Sequence, residues 1–166
     1  RHGVALVEDA AAAIGTTYRG RPCGGFGAVS VYSFNGNKTV TAGGGGMVLT
    51  DDDGIAATVR HVSTTARLAG EYVHDTVGYN YRMTNVNAAI GLAQLERLDA
   101  MVAAKRAIAA RYDAALAGRN DIRPMPRPAH SVSTAWLYSV KLADEPSARA
   151  LVAAMDRAGI DARVFW

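Results

Sequence analysis

The chain is 166 residues long, 49% hydrophobic and 20% charged, a balance that supports a buried core and excludes a disordered or fibrous class. Its net charge of +3 comes from basic residues scattered among acidic ones, so no stripe points to nucleic acid, and no apolar run approaches membrane-spanning length. A single cysteine, Cys23, excludes an internal disulfide and, without Cys or His neighbours, a zinc site; no metal is expected, and a reduced, cytoplasmic setting is.

Both ends, Arg1 running into "VALVEDA" and the closing "DARVFW", read as cut from a longer chain. Val4 to Val7 predict a buried strand with Glu8 and Asp9 at its carboxyl end. The stretch "TTYRGRPCGGFG" is turn-rich. A second strand is expected at Ala28 to Phe34, far enough on for a crossover between parallel strands. After a loop carrying Lys38, "GMVLT" gives a third strand. Asp51 to Asp53 then cap a helix running to about Arg67.

Glu71 to Arg82 has the composition of a loop. Thr84 offers an N-cap to a long helical run, with Val86, Ala89, Ile90, Ala93 and Leu98 on or near one face and Gly118 as its stop. Three prolines within "DIRPMPRPAHS" mark a connection. A strand at "AWLYSVKL", a helix from about Pro146 to Ala158 and a strand at "IDARVFW" follow. The pattern predicts an α/β fold, with residues 1–120 belonging to a large domain and 121–166 beginning a smaller one.

If the first two strands are parallel neighbours, Asp9 and the loop from Ser33 to Lys38 leave the sheet at one carboxyl edge, where open α/β sheets bind ligands. A carboxylate, a hydroxyl and an amine together have few uses, and one is pyridoxal phosphate. Lys38 as a neutral amine would attack the aldehyde, Asp9 would keep the ring nitrogen protonated, and Ser33 would donate to the phosphate. Gly43 to Gly46 would let the backbone turn tightly beside the cofactor loop. Taken singly, each has another reading: Asp9 a strand-end residue, Ser33 a hydroxyl satisfied by backbone, the glycines a turn, and Lys38 a solvated side chain. "GNK" lacks the spacing of a P-loop.

"VEDAAAAIG", "VYSFNGNKTVTAGGGGM" and "GYNYRMTNVNAAIGLAQLERLD", in that order, resemble the DegT/DnrJ/StrS family of pyridoxal-phosphate-dependent nucleotide-sugar aminotransferases. The resemblance implies a fold-type I aminotransferase, a three-layer α/β/α large domain with the start of a small α/β domain, present as a fragment. It matches Lys38 to the Schiff-base lysine, Asp9 to the ring-nitrogen partner and Ser33 to a phosphate ligand. Asn80 matches an asparagine that reaches the phosphate of the other subunit, which implies a homodimer with shared active sites.

The implied reaction moves an amino group, from glutamate as donor, onto a keto carbon of a nucleotide-linked 4-keto-6-deoxy sugar. "FNGNK", "GGGG" and "HVSTTAR" resemble the bacillosamine- or legionaminate-type subgroup. Two positions depart from the wider family: Ala12 stands where a Gln or Glu meets the phenolic oxygen, and Gly44 where many members have Glu. These keep open a rival reading, a non-catalytic homologue used for phosphate binding or assembly. His61 and His74 read as solvated or structural, Trp136 and Trp166 as packing residues, Tyr79 and Tyr81 as anchors of the Asn80 loop. Arg82 has two readings, a contact to the acidic nucleotide sugar or an ion pair within the loop.

Overall fold

The computed structural model describes residues 2–165; Trp166 lies outside them. The first strand, β1, covers Val7–Asp9, later than expected. The burial expected of this strand is not observed: Val4, Leu6 and Val7 are all exposed, because among the described residues β1 pairs on one side only, with the strand Val29–Ser33, Val7 lying opposite Val29. The turn-rich stretch holds two short strands, β2 (Thr17–Tyr18) and β3 (Arg21–Pro22), joined as an antiparallel hairpin. β4 (Val29–Ser33) runs parallel to β1 with Asp9 opposite Val31, and β5 (Gly46–Leu49) closes the sheet antiparallel to β4. The sheet order is therefore β1-β4-β5.

Helix α1 covers Asp53–Ser63, with the Asp52 carboxylate accepting the Ile55 N–H as N-cap. It ends before Arg67 because Thr65 and Ala66 take φ of 67° and 51°, conformations a right-handed helix cannot continue through. The expected run from Thr84 is two helices, α2 (Asn85–Leu95) and α3 (Leu98–Leu116), with Thr84 as N-cap of the first. Gly118 has φ +79° and stops the second, as expected.

The predicted inward face of α2 is wrong. Val86 is 71% exposed and Ile90 46%; the side turned inward carries Asn87, Gly91 and Gln94. The cause is polar. Gln94 Oε1 accepts the Thr41 N–H at 2.9 Å and the Asn87 amide donates to the Ala42 carbonyl at 2.5 Å. Loop backbone taken out of water needs partners, and α2 supplies them.

Beyond α3, β6 (Arg123–Pro124) pairs with β8 (Val140–Lys141), and β7 (Ser131–Val132) pairs with β2. The strand expected over "AWLYSVKL" is reduced to its last part. Ala135 has φ +56°, and Tyr138 turns its hydroxyl to Asp113 on α3 instead of extending a ladder. Helix α4 (Glu145–Arg157) is capped by Asp144, close to expectation. No strand pairing forms over 160–165 among the described residues.

The α/β class holds. The core lies beside the Lys38 loop: Phe34, Val40 and Ala42 are buried together, with Ile14, Met83, Leu95, Leu98 and Met101 packed on them. Burying a side chain such as Phe34 or Val40 stabilises by about 1.5–3 kcal/mol. The residues between them are thus held at both ends by apolar packing.

Candidate active site

β1 and β4, being parallel, end on the same edge, and that edge carries Asp9 and Ser33 as the last residue of each strand. The Asp9 carboxylate accepts the Ala11 N–H at 3.1 Å. Ser33 Oγ accepts the Asn35 N–H at 3.3 Å, and among the described residues no bond uses its hydrogen. Lys38 follows on the loop from β4, its own N–H donating to the Asn35 carbonyl at 3.0 Å. The next residue, Thr39, is buried with its hydroxyl unpartnered, which costs about 1–3 kcal/mol unless something else meets it.

The Lys38 side chain has a partner that the sequence reading assigned to packing. Its Nζ lies 3.9 Å from the ring centroid of Trp136, and the Trp136 indole N–H donates to the Asn37 carbonyl at 2.6 Å. No spacing rule finds a contact between residues 38 and 136. Glu8 was also missed as more than a strand-end acid. Its carboxylate accepts N–H bonds from Gly24, Phe26 and Gly27, tying the loop before β4 to β1. Desolvation pushes Glu8 upward, but those three N–H groups and the Arg21 charge outweigh it and leave the carboxyl below its ordinary value. Burial, with the Glu8 charge adding to it, pushes both the Cys23 thiol and the Tyr32 phenol up.

The glycine run behaves as expected. Gly43 and Gly45 have φ of +78° and +88°, and a Cβ on Gly46 would sit 2.5 Å from the Tyr32 carbonyl oxygen. Only Gly44 of the four is both free of positive φ and open around its Cα.

Asn80 is positioned from α1. It forms an antiparallel bridge to Thr64, flanked by bonds from Tyr79 N–H to the Val62 carbonyl and Tyr81 N–H to the Ser63 carbonyl. Gly78 allows this docking, since a Cβ there would lie 2.3 Å from the Thr65 carbonyl carbon. The Tyr79 and Tyr81 rings stack at 5.0 Å. No hydrogen bond or bridge among the described residues joins Asn80 to Asp9, Ser33 or Lys38. Arg82 makes no ion pair among the described residues; it lines a cavity of about 350 Å³ with Arg60, Ser63 and Thr64. His61 on α1 bonds Asp75 at 2.6 Å, and His74 bonds the Thr65 carbonyl at 2.7 Å. Among the described residues no cluster of His, Cys, Asp and Glu could hold a metal, and no helix is long and apolar enough to cross a membrane.

A parallel strand pair with a carboxylate, a hydroxyl and a lysine loop at its carboxyl edge is an α/β arrangement, and open sheets of this kind take ligands at that edge. The chain matches the DegT/DnrJ/EryC1/StrS aminotransferase family over residues 1–166 and belongs to it. A Bacillus subtilis protein, EpsN, named as a candidate pyridoxal phosphate-dependent aminotransferase, is 40% identical over 166 residues, 99% of this chain and 43% of that protein. The GDP-perosamine synthase of Vibrio cholerae is 47% identical over 150 residues, 87% of this chain and 39% of that one. The crystal structure of the aminotransferase TlmJ from Streptoalloteichus hindustanus superposes with a TM-score of 0.91 at 32% identity, covering 99% of this chain and 45% of that one. The chain thus spans less than half the length of the relatives it matches.

Proposed function

We propose that the complete protein carrying this chain is a pyridoxal-phosphate-dependent aminotransferase. It moves an amino group from an amino acid, glutamate by this reading, onto a keto carbon of a nucleotide-linked 4-keto-6-deoxy sugar. The observation that carries the reading is the shared carboxyl edge: Asp9 and Ser33 end neighbouring parallel strands, and the loop leaving Ser33 carries Lys38.

The donor set fits the cofactor. Asp9 would pair with the ring nitrogen, Ser33 has an uncommitted hydroxyl hydrogen for a phosphate oxygen, and Lys38 is the amine. When bound, pyridoxal phosphate supplies an electron sink for the carbon that loses its proton. The chain's own contribution is to hold a carboxylate against the ring nitrogen and to move a proton at Lys38 Nζ. Arg60 and Arg82, both lining one cavity, offer charge to the acidic linkage of a nucleotide sugar.

Asn80, whose backbone bridges to Thr64, serves the phosphate of a second subunit in a homodimer by this proposal. The division into residues 1–120 and 121–166 and a cytoplasmic setting belong to the same proposal. The pairing of Thr17 with Val132 ties the two stretches together. Family membership and the presence of Asp9, Ser33 and Lys38 together count against a non-catalytic homologue, although Ala12 leaves the phenolic oxygen without the family's partner.

The test uses the complete protein. A cofactor absorption band is expected to bleach with glutamate and return with a 4-keto-6-deoxy sugar nucleotide, and borohydride reduction should leave the cofactor on the peptide containing Lys38. A band that ignores both substrates would sink the reading.

A further inference from the structure

The segment before Trp136 is held more firmly than a connection requires. Thr134 is 1% exposed; its hydroxyl donates to the Ile14 carbonyl at 2.5 Å and its N–H donates to Thr16 Oγ1 at 3.0 Å. From α3, Arg106 donates to the Ser133 carbonyl and to the Gly15 carbonyl, each at 3.0 Å. Ala135 then takes a left-handed φ of +56°, a conformation that costs a non-glycine residue about 1 kcal/mol or more. The Trp136 ring that follows is fixed by its bond to Asn37, the residue before Lys38. Three independent anchors and one strained residue thus hold an indole face against one amine, at 3.9 Å.

From this we infer that Trp136 is the seat of the Lys38 ammonium whenever the lysine is not attached to the cofactor. The inference rests on the proposed role of Lys38. A lysine ammonium over an indole face is attracted by the ring quadrupole, most strongly when partly desolvated. Attachment joins the lysine nitrogen to the cofactor aldehyde carbon; the aldehyde oxygen leaves as water with two of the ammonium hydrogens, the third proton passes to solvent, and the compact ammonium charge against the indole ring is lost. The amino form of the cofactor has no aldehyde and leaves Lys38 detached. Trp136 therefore opposes binding of the aldehyde form and is indifferent to the amino form. In a two-stage transfer that alternates between the forms, the ring biases the resting enzyme toward releasing its lysine. Trp136 is a positioning residue, acting only through Lys38.

The experiment measures two dissociation constants on the cofactor-free complete protein, one for pyridoxal 5'-phosphate and one for pyridoxamine 5'-phosphate. In Trp136→Leu the aldehyde form should tighten about threefold to tenfold relative to the amino form, the size of one such contact. Trp136→Phe, which keeps a ring but loses the N–H, should move the ratio less. A fluorinated tryptophan placed at position 136 keeps shape and N–H while weakening the ring face, and should move the ratio in the same direction as leucine even if the leucine variant does not fold. Parallel weakening of both forms, or an unchanged ratio with fluorotryptophan, overturns the inference. Borohydride labelling of the parent protein separates the two readings. Label on Lys38 with an unmoved ratio sinks the seat alone, and label elsewhere sinks the lysine assignment and the seat with it.

Discussion

The side-chain amide of Asn87 donates to the main-chain carbonyl of Ala42 at 2.5 Å, bridging 45 residues of sequence. Ala42 is fully buried, so its carbonyl has no water to fall back on. Asn87→Ala is expected to destabilise by about 1–3 kcal/mol, the cost of an orphaned buried acceptor. The check is a denaturant midpoint that falls while the slope stays constant. Because Ala42 closes the loop that carries Lys38, cofactor retention should fall as well. A midpoint equal to the parent's would show that the loop is held by apolar packing alone.

Glu8 sets a pH dependence whose sign follows from its environment. Its carboxyl is lowered in the folded chain below the reference value of 4.5. It therefore adds stability that is fully present above that value and is lost as pH falls through the folded one. Glu8→Gln should remove this acid-side loss, so that parent and variant converge in unfolding free energy only once pH has fallen through the lowered value of the folded carboxyl. Parallel curves across that window would mean that Glu8 titrates alike folded and unfolded.

Ala12 sits exposed at the turn after β1, with room for a longer side chain. Ala12→Gln should change stability by no more than about 0.5 kcal/mol, as surface substitutions do. By the family resemblance the added amide would meet the cofactor's phenolic oxygen, so cofactor should dialyse out of the complete protein more slowly. Loss of folding in this variant would show Ala12 packed in the assembled protein.

Asp9→Asn keeps the shape and the acceptor for the Ala11 N–H but removes the charge. A neutral amide cannot hold a ring nitrogen protonated as a carboxylate does. Cofactor should stay bound while turnover falls by about 100-fold or more, in line with removal of a charge-stabilising group from an active site. Undiminished turnover at saturating substrates would show that Asp9 is not the ring partner.

What could be read from the sequence was whatever local chemistry dictates. Asp9 and Ser33 were legible because strand ends follow from apolar runs bounded by polar residues, and Thr84 and Gly118 because caps are short-range signals. Family motifs carried the rest of the proposed site. Trp136 was not legible, since its partner lies 99 positions away and only the tertiary path through Thr134 and Arg106 joins them. The face of α2 was misread because burial was assumed to follow hydrophobicity. Asn87 and Gln94, seven residues apart in an apolar helix, were the available signal that polar backbone lay opposite. The early end of α1 came from Thr65 and Ala66, whose left-handed conformations no propensity scale anticipates.

Asn80 offers the sharpest test of a shared site. Its loop is bound to the end of α1 through Thr64, Val62 and Ser63, which fixes its backbone and leaves its exposed side chain to reach outward. If it meets the cofactor phosphate of a second subunit, each site in the dimer takes Lys38 from one chain and Asn80 from the other. Lys38→Ala and Asn80→Ala should each abolish most turnover alone. Mixed dimers of the two complete chains then contain one site with both lesions and one with neither. A statistical mixture, in which half the dimers are mixed, should regain about a quarter of parental activity, far above a sum of two inactive proteins. Activity that stays at the level of the single variants, after exchange of subunits has been verified by mass, would assign Asn80 to its own chain and remove the case for composite sites.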